Sequence, residues 1–213
     1  MHVLVKCWSI LMPEKPLLAE LEEDLLGELF NIGVGQAADA LSSMVEQEIK
    51  LSVPEVDFIT VTELAHYLGE EDSICSVAQQ MTGPFNAKSM LLFPEENSLE
   101  IVRKMLGAEL PDETLVELQQ ETLSEIGNIV LNACIGALSR SVNEEFKVSL
   151  PVFRLAKSHE LLDDTAEPND IVLFIRINLV LSESDITGYL VFLMGSLSLQ
   201  KLRDVLKVML DNL

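Results

Sequence analysis

The residues best suited to chemistry are two carboxylate–amide pairs with one spacing, Glu28 with Asn31 and Glu125 with Asn128. The members of each pair are three residues apart, so on a helix they are surface neighbours. An amide cannot act as a base at neutral pH, but its C=O and NH₂ groups can hold and orient a water molecule. Phosphoryl transfer needs this kind of positioning more than covalent chemistry. The pairs are therefore candidates for orienting a water molecule toward a phosphoryl group.

A structural role for both asparagines is open on the same evidence. Asn is a below-average helix former because its amide competes for backbone hydrogen bonds, so matching positions in two helices need a reason. The amide could instead bond a neighbouring segment of the chain, and an exposed Glu often serves only solvation. The sequence shows no phosphate-binding loop and no Lys/Arg cluster nearby. A phosphoryl group, and any metal ion, would have to arrive on a partner.

The two pairs belong to an internal repeat. Residues 24–56 align with residues 121–153 at an offset of 97, and 12 of the 33 positions are identical. The similarity resumes near the ends of both copies, so we predict two units over about 18–110 and 111–213. Two copies in one chain predict pseudo-symmetry, in which any site occurs twice.

Each copy predicts the same succession of elements from its hydrophobic periodicity and turn residues. The predicted elements are long helices over about 20–47 and 113–145, strands over 49–53 and 147–155, hairpins of 73–81 with 87–93 and of 170–181 with 186–194, an extra helical turn over 62–68, and short helices starting at Ser98 and Ser198. Both serines are predicted N-caps. The fold class is α+β: two pseudo-symmetric α-β-β-β-α repeats sharing a largely antiparallel six-stranded sheet, with two long site-bearing helices.

The first long helix has two distinct faces. Its apolar arc contains small residues, which would let it lie close to a flat surface or to the second long helix; the arc comprises Leu26, Leu29, Phe30, Gly33, Ala37, Ala40, Leu41 and Met44. The polar face carries Asp24, Glu28, Asn31 and Gly35, and the matching positions of the second helix are Glu121, Glu125, Asn128 and Asn132. Gly35 would clear space for a docking partner. Six methionines are predicted core residues: Met44, Met81, Met90, Met105, Met194 and Met209.

Composition limits the class of protein. The 213 residues carry 35 acidic and 14 basic side chains, a net charge of −21, which disfavours nucleic acid and anionic membranes as partners. No 18-residue stretch is apolar without charge, so we expect no membrane insertion. Three scattered cysteines without a CxxC predict reduced, mostly buried thiols in a cytoplasmic protein. We expect one domain over 18–213 after an N-terminal extension at 1–17, whose role stays open.

A longer motif accompanies each pair. Glu-x₂-Asn-x₂₂-Pro occurs at Glu28, Asn31 and Pro54 and again at Glu125, Asn128 and Pro151. An acidic residue stands four positions before each Glu, Asp24 in the first copy and Glu121 in the second. With this doubled motif, residues 18–212 resemble the CheC-type chemotaxis phosphatases, the family of CheC, CheX and FliY.

The resemblance implies a reaction and partners. The implied activity is hydrolysis of the phospho-aspartate of a CheY-like response regulator, with Asn31 and Asn128 orienting the attacking water. Glu28 and Glu125 would each anchor to a Lys of the regulator. The Mg²⁺ ion would belong to the regulator, so the resemblance implies no cofactor of the chain's own. It also implies the deamidase CheD as a further partner, and the internal repeat predicts a monomer.

Two positions depart from the family pattern, and Pro54 and Pro151 have a simpler explanation than catalysis. Glu121 stands where Asp or Ser is usual, and its side chain is one methylene longer than that of Asp. Phe30 precedes Asn31, whereas the second copy has the more usual Gly127. We expect Phe30 to affect helix packing and leave the first site intact. The prolines lack an N–H and suit a strand edge or bend, so we expect them to direct the chain path without touching phosphate.

Three other interpretations compete with catalysis. The chain could be a non-catalytic module that sequesters phospho-CheY or CheD. Such a module must match its target in concentration, whereas a phosphatase acts at catalytic amounts. Asp24 and Glu28 could share Mg²⁺ or Ca²⁺, although no His joins them and His2, His66 and His159 are scattered. Residues 33–38 match a dinucleotide-binding fingerprint, but they lie in a predicted helix without a preceding strand.

Overall fold

A computed structural model describes residues 20–69, 72–106, 111–163, 170–181 and 184–211. In these ranges the chain forms α1 Glu20–Val45, β1 Ile49–Thr60, α2 Val61–Leu68, β2 Ser73–Thr82, β3 Ala87–Pro94, α3 Glu95–Leu106, α4 Asp112–Val142, β4 Lys147–Val148, β5 Val152–Lys157, α5 Ser158–Asp163, β6 Ile171–Leu181, β7 Ser184–Leu193 and α6 Ser196–Asp211. The predicted N-terminal extension lies outside the described residues, as does residue 110, where the first predicted unit ends.

One antiparallel sheet contains every described strand. Its order is β1-β6-β7-β3-β2, and the outer side of β2 pairs with both β4 and β5. The predicted α+β class with a largely antiparallel sheet is confirmed. The count of six strands is wrong, because the strand predicted over 147–155 is divided into β4 and β5. Pro151 lies in the gap, where its missing N–H cannot contribute a ladder hydrogen bond.

The other outer strand, β1, is continuous but irregular at Pro54. Ser52 pairs with Asn178 and Glu55 with Arg176, so two residues of β1 lie opposite one residue of β6. This is the geometry of a β-bulge, which accommodates proline without breaking the strand. The predicted strand over 49–53 therefore continues past the proline to Thr60.

The two halves of the chain contribute to the sheet in a reciprocal way. The outer strand β1 of the first half pairs with β6 of the second, and β4 and β5 of the second half pair with β2 of the first. Exchanging the halves leaves the order of the sheet unchanged. This order is compatible with the predicted shared sheet, while the repeat itself stays a prediction.

Helices cover both faces of the sheet. The larger core lies under α1, α3, α4 and α6, and a smaller core lies on the opposite face under α2 and α5. α2 begins with a capping box between Thr60 and Glu63, which satisfies two backbone N–H groups. α5 was not predicted from the sequence. It follows β5 as α2 follows β1, and it buries Leu161 and Leu162.

Gly33 sets the closest approach of the two long helices. A Cβ atom at this position would lie 2.8 Å from the Cα atom of Cys134 in α4. Because that neighbour is backbone, it cannot rotate away. The predicted role of a small residue, close approach to the second long helix, is confirmed here.

A pair of glycine substitutions tests this crossing. Gly33→Ala should lower the free energy of unfolding by about 1–3 kcal/mol through overpacking. Gly35→Ala should instead raise it by up to about 1 kcal/mol, since Ala is the better helix former and no atom lies within 4 Å of the added Cβ. Urea unfolding of both variants measures the difference. Equal effects of the two changes would contradict the close crossing.

Some predicted details are wrong. Ser98 and Ser198 are not N-caps, because α3 begins at Glu95 and α6 at Ser196. Two acidic residues in the first turn of α3 favour the earlier start, and the hydroxyl of Ser98 donates to the carbonyl of Glu95 at 2.6 Å. Met44 is 46% exposed and not a core residue.

The exposure of Met44 has a geometric cause. The buried side of α1 winds around the helix, from Leu26 and Leu29 near its start to Ala38 and Leu41 near its end. A helix that crosses its support at an angle has such a winding contact stripe. The predicted apolar arc assumed that the buried face keeps one direction along the whole helix, and for this reason it wrongly included Met44.

By length and composition, α4 is the one helix in the described residues that could cross a membrane, and half of its most apolar 18-residue window is buried. Its apolar residues have partners inside the protein. Leu123, Ile126, Val130 and Leu131 are buried in the larger core. Packing against α1, α3 and the sheet accounts for the apolar composition of this helix.

Cys75 and Cys134 are free and buried, as predicted, and Cys7 lies outside the described residues. Burial raises the pKa of the Cys75 thiol to about 11 and that of Cys134 to about 12. A Cys7→Ser variant should therefore show no thiol reactive with a disulfide reagent at pH 8, because the thiolate is the nucleophile. Two thiols should react after unfolding in urea. Rapid reaction of either thiol in the native protein would contradict this burial.

Candidate functional site

The predicted site residues lie on the exposed faces of the two long helices. Site one consists of Asp24, Glu28 and Asn31 on α1, all three exposed. Site two consists of Glu121, Glu125 and Asn128 on α4, where both carboxylates are exposed and the asparagine is half-buried. The helices bring the residues of each site together by spacing alone, since every third or fourth side chain lies on one face.

The four carboxylates of the sites have no partner among the described residues. The side chains of Asp24, Glu28, Glu121 and Glu125 make no hydrogen bond and no ion pair within those ranges. Surface carboxylates in this state keep their capacity to bind a cation supplied from outside. Both sites therefore offer negative charge to a partner.

Asn31 links α1 to the bulge in β1. Its Oδ1 atom accepts a hydrogen bond from the backbone N–H of Val53 at 3.1 Å. Val53 directly precedes Pro54, where the bulge leaves a backbone group outside the regular ladder. This hydrogen bond gives the spacing of Asn31 and Pro54 a structural basis. It also shows that the amide of Asn31 bonds a neighbouring segment of the chain, which was the structural alternative to a role in catalysis. The Nδ2 group of Asn31 has no partner in the described part of the chain.

Asn128 is held differently. Its Oδ1 atom accepts hydrogen bonds from Nδ2 of Asn132 at 2.7 Å and from Nε2 of Gln79 at 3.2 Å. Gln79 also donates to the carbonyl oxygen of Ser149 at 3.2 Å, in the gap between β4 and β5. The asparagine of site two is therefore connected to the outer strand through a second side chain, whereas Asn31 reaches the strand directly.

Sequence reasoning missed Val53 and Gln79. Nothing in the sequence marks the N–H of Val53 as a partner, because any non-proline residue has one. Gln79 had a weak signal: it is a polar residue on the face of β2 that otherwise buries Val77 and Met81. It is 2% exposed, and its Nε2 group donates to Asn128 of site two and to the carbonyl oxygen of Ser149.

The residues that precede the two asparagines have different packing roles. Phe30 is fully buried, and its ring lies 5.4 Å from that of Phe192. Gly127 is buried against the side chain of Val77, which leaves no room for a Cβ. As predicted, Phe30 points into the core and not toward site one.

A metal site of the chain's own has little support in the described ranges. They contain no group of three or more His, Cys, Asp or Glu side chains that could hold an ion. His66 and His159 are both exposed, on α2 and α5. The dinucleotide interpretation of residues 33–38 also lacks its context, since the segment is the middle of α1.

A protein-family model matches the segment that contains site one. Residues 21–57 match the model of the CheC-like family. This range contains α1 from its second residue and β1 through the bulge to Asp57, and therefore all of site one and Pro54. The first copy of the motif, Glu28, Asn31 and Pro54, thus lies in the matched range, and the second copy lies outside it.

Two curated relatives and one solved structure are similar over longer stretches. CheY-P phosphatase CheC of Bacillus subtilis is 25% identical over 63% of this chain, and flagellar motor switch phosphatase FliY of the same organism is 23% identical over 81%. The aligned parts span 66% of the length of that CheC and 46% of that FliY. The crystal structure of Thermotoga maritima FliY has a TM-score of 0.74 and 19% identity, covering 91% of this chain and all of that one.

The three findings agree with one another. The family model covers the first site, the curated relatives extend the similarity across most of the chain, and the solved structure shares the fold. They support the resemblance that the doubled motif predicted: the chain is similar to the CheC-like family over residues 21–57, and to CheC and FliY proteins over longer stretches.

Proposed function

We propose that this protein hydrolyses the phospho-aspartate of a CheY-like response regulator. The observation that carries the proposal is the presence of two Glu/Asn pairs, Glu28 with Asn31 and Glu125 with Asn128, on the two long helices, with both carboxylates exposed. Their carboxylates have no partner among the described residues, so they remain available to a protein that docks there. The curated relatives support the proposal, since both are named as phosphatases and one as acting on CheY-P.

The proposed reaction needs positioning rather than a nucleophile from this chain. The asparagine amide holds a water molecule in line with the phosphorus atom of the acyl phosphate. The water oxygen forms a bond to phosphorus while the bond from phosphorus to the aspartate oxygen breaks. The aspartate leaves as a carboxylate, and the water proton goes to the released phosphate. The regulator would hold the Mg²⁺ ion, which would supply positive charge against the phosphoryl oxygens.

Glu28 and Glu125 have a docking role in this proposal. Each would form an ion pair with a lysine of the regulator, which holds the neighbouring amide against the acyl phosphate. A charge-assisted hydrogen bond of this kind fixes orientation as well as adding affinity. The site on the chain therefore becomes complete only when the regulator is bound.

The remaining parts of the proposal concern partners and setting. We propose a CheY-like regulator as the substrate and the deamidase CheD as a further partner. The protein would work as a cytoplasmic monomer, without a metal or cofactor of its own and without nucleic acid or membrane. Asp24, Glu121, Pro54 and Pro151 would support the sites, the acidic residues by charge and the prolines by shaping the outer strands.

A non-catalytic binding module is the second candidate function. It is favoured by one observation: Asn31 and Asn128 both have structural hydrogen bonds, to Val53 and to Gln79. An asparagine used only to hold the outer strand would need no water. A module of this kind would sequester the phosphorylated regulator or CheD at matching concentrations and would not turn over.

Phosphate release separates the two functions. A CheY receiver is charged continuously with acetyl phosphate and Mg²⁺, and the protein is added at about one-twentieth of its concentration. A phosphatase should accelerate release in proportion to the protein added. If release stays at the rate of the receiver alone, with and without CheD, while the receiver still binds, the module is the correct function.

A further inference from the structure

The carbonyl oxygens of the two site asparagines differ in how much bonding capacity they have left. An amide oxygen has two lone pairs. In site one, Oδ1 of Asn31 accepts one hydrogen bond, from Val53. In site two, Oδ1 of Asn128 accepts two, from Asn132 and Gln79. Site one thus keeps one acceptor position, and site two has none.

The orientation of the amides in site two follows from their partners. The Nδ2 group of Asn132 faces the main-chain oxygen of Asn128 at 2.8 Å, so it must be the NH₂ end. The Nε2 group of Gln79 faces the carbonyl oxygen of Ser149, so it too must be the NH₂ end. Two donors therefore converge on one atom of Asn128, and only its oxygen can accept both.

Site one lacks both donors. The position of α1 that matches Asn132 at the offset of 97 is Gly35, which has no side chain. The sheet position that matches Gln79 is Ile177. Val152 and Glu55 occupy matching positions at the offset of 97, and they pair with Ala78 and Arg176. The next residues along the inner strands are Gln79 and Ile177. Ile177 is a buried hydrocarbon and cannot donate. The difference between the sites is thus encoded at two positions.

The free acceptor matters for the reaction of the proposed function, on which this inference rests. A water molecule that attacks phosphorus must direct its lone pair at the phosphorus and its protons elsewhere. An amide oxygen with an open acceptor position can accept a hydrogen bond from one O–H group of that water, and an amide oxygen that already accepts two hydrogen bonds cannot. We propose that Asn132 and Gln79 restrain site two, so that site one carries most of the turnover and Asn132 acts as a positioning residue through Asn128.

The test isolates each site. In an Asn31→Ala background only site two works, and adding Asn132→Ala should raise kcat for phospho-receiver hydrolysis about three- to tenfold, the equivalent of one hydrogen bond. KM for the receiver should not change. Asn132→Gln keeps an amide donor and should restore the lower kcat. In an Asn128→Ala background, Gly35→Asn should lower the kcat of site one by a similar factor, and the open space at Gly35 accepts the new side chain.

The outcomes separate this inference from the proposed function. If the wild type hydrolyses the phospho-receiver but Asn132→Ala leaves the kcat of site two unchanged or lowers it, the inference is wrong and the proposed function stands. If Asn128→Ala alone removes most of the activity, site two is the faster site and the inference is wrong again. If the wild type has no activity, both fail together. Circular dichroism melting shows that each variant is folded before its rate is read.

Discussion

An Asn31→Ala/Asn128→Ala variant should lose about 10²-fold or more in kcat for hydrolysis of the phosphorylated receiver, because misplacing a reacting group by about 1 Å has effects of that size. KM should change little, since the carboxylates of Glu28 and Glu125 remain to hold the receiver. Phosphate release at several receiver concentrations gives both constants. A separate titration with receiver charged with beryllofluoride and Mg²⁺ should show that binding is retained.

The matched control is Gln36→Ala/Gln120→Ala, which removes one exposed amide from each long helix. Gln36 lies on another side of α1 from site one, where it accepts from Arg140, and Gln120 lies two turns before Asn128. This control should retain wild-type kcat. Unchanged turnover in the Asn double variant would show that neither amide orients the water. A parallel loss in the control would show that the assay reports helix damage instead.

Phe30→Ala should lower the free energy of unfolding by about 3–5 kcal/mol, the usual loss for a large buried aromatic side chain. Phe30 has no exposed surface and packs its ring against Phe192 of β7. The cavity would open between α1 and the centre of the sheet, where the surrounding backbone has little room to collapse. Urea unfolding measured by circular dichroism gives the change.

The control for Phe30 is Ile32→Ala on the same helix. Ile32 is 52% exposed, so its truncation should change stability by less than about 1 kcal/mol. The same comparison tests the position of Phe30 relative to site one. If Phe30→Gly raised hydrolysis more than tenfold without loss of stability, the side chain would act on the site and not on the core.

Much of the fold was accessible from the sequence because local patterns determine it. Helical periodicity predicted α1 and α4 within a few residues, and alternating apolar stretches around turn residues predicted both hairpins. The polar faces of the long helices followed from the same periodicity, which is why the residues of sites one and two were found together.

Other features depend on tertiary packing, and the sequence did not reveal them. Pro54 and Pro151 each lack a backbone N–H, and the sheet accommodates the first with a bulge and the second with a gap. Both irregularities depend on strand pairing, with β6 and with β2. The bond from Val53 to Asn31 spans 22 residues, and the bond from Gln79 to Asn128 spans 49. The exposure of Met44 depends likewise on how α1 crosses the layer beneath it.

The central claim is that this chain turns over a phosphorylated receiver. The most direct measurement mixes the protein with about ten equivalents of phospho-receiver freed of acetyl phosphate and counts the phosphate released per protein molecule. The account predicts that nearly all ten equivalents are released well within the spontaneous lifetime of the phospho-aspartate. Release that never exceeds the spontaneous rate, or receiver that stays phosphorylated longer when the protein is present, would contradict it and identify a sequestering module.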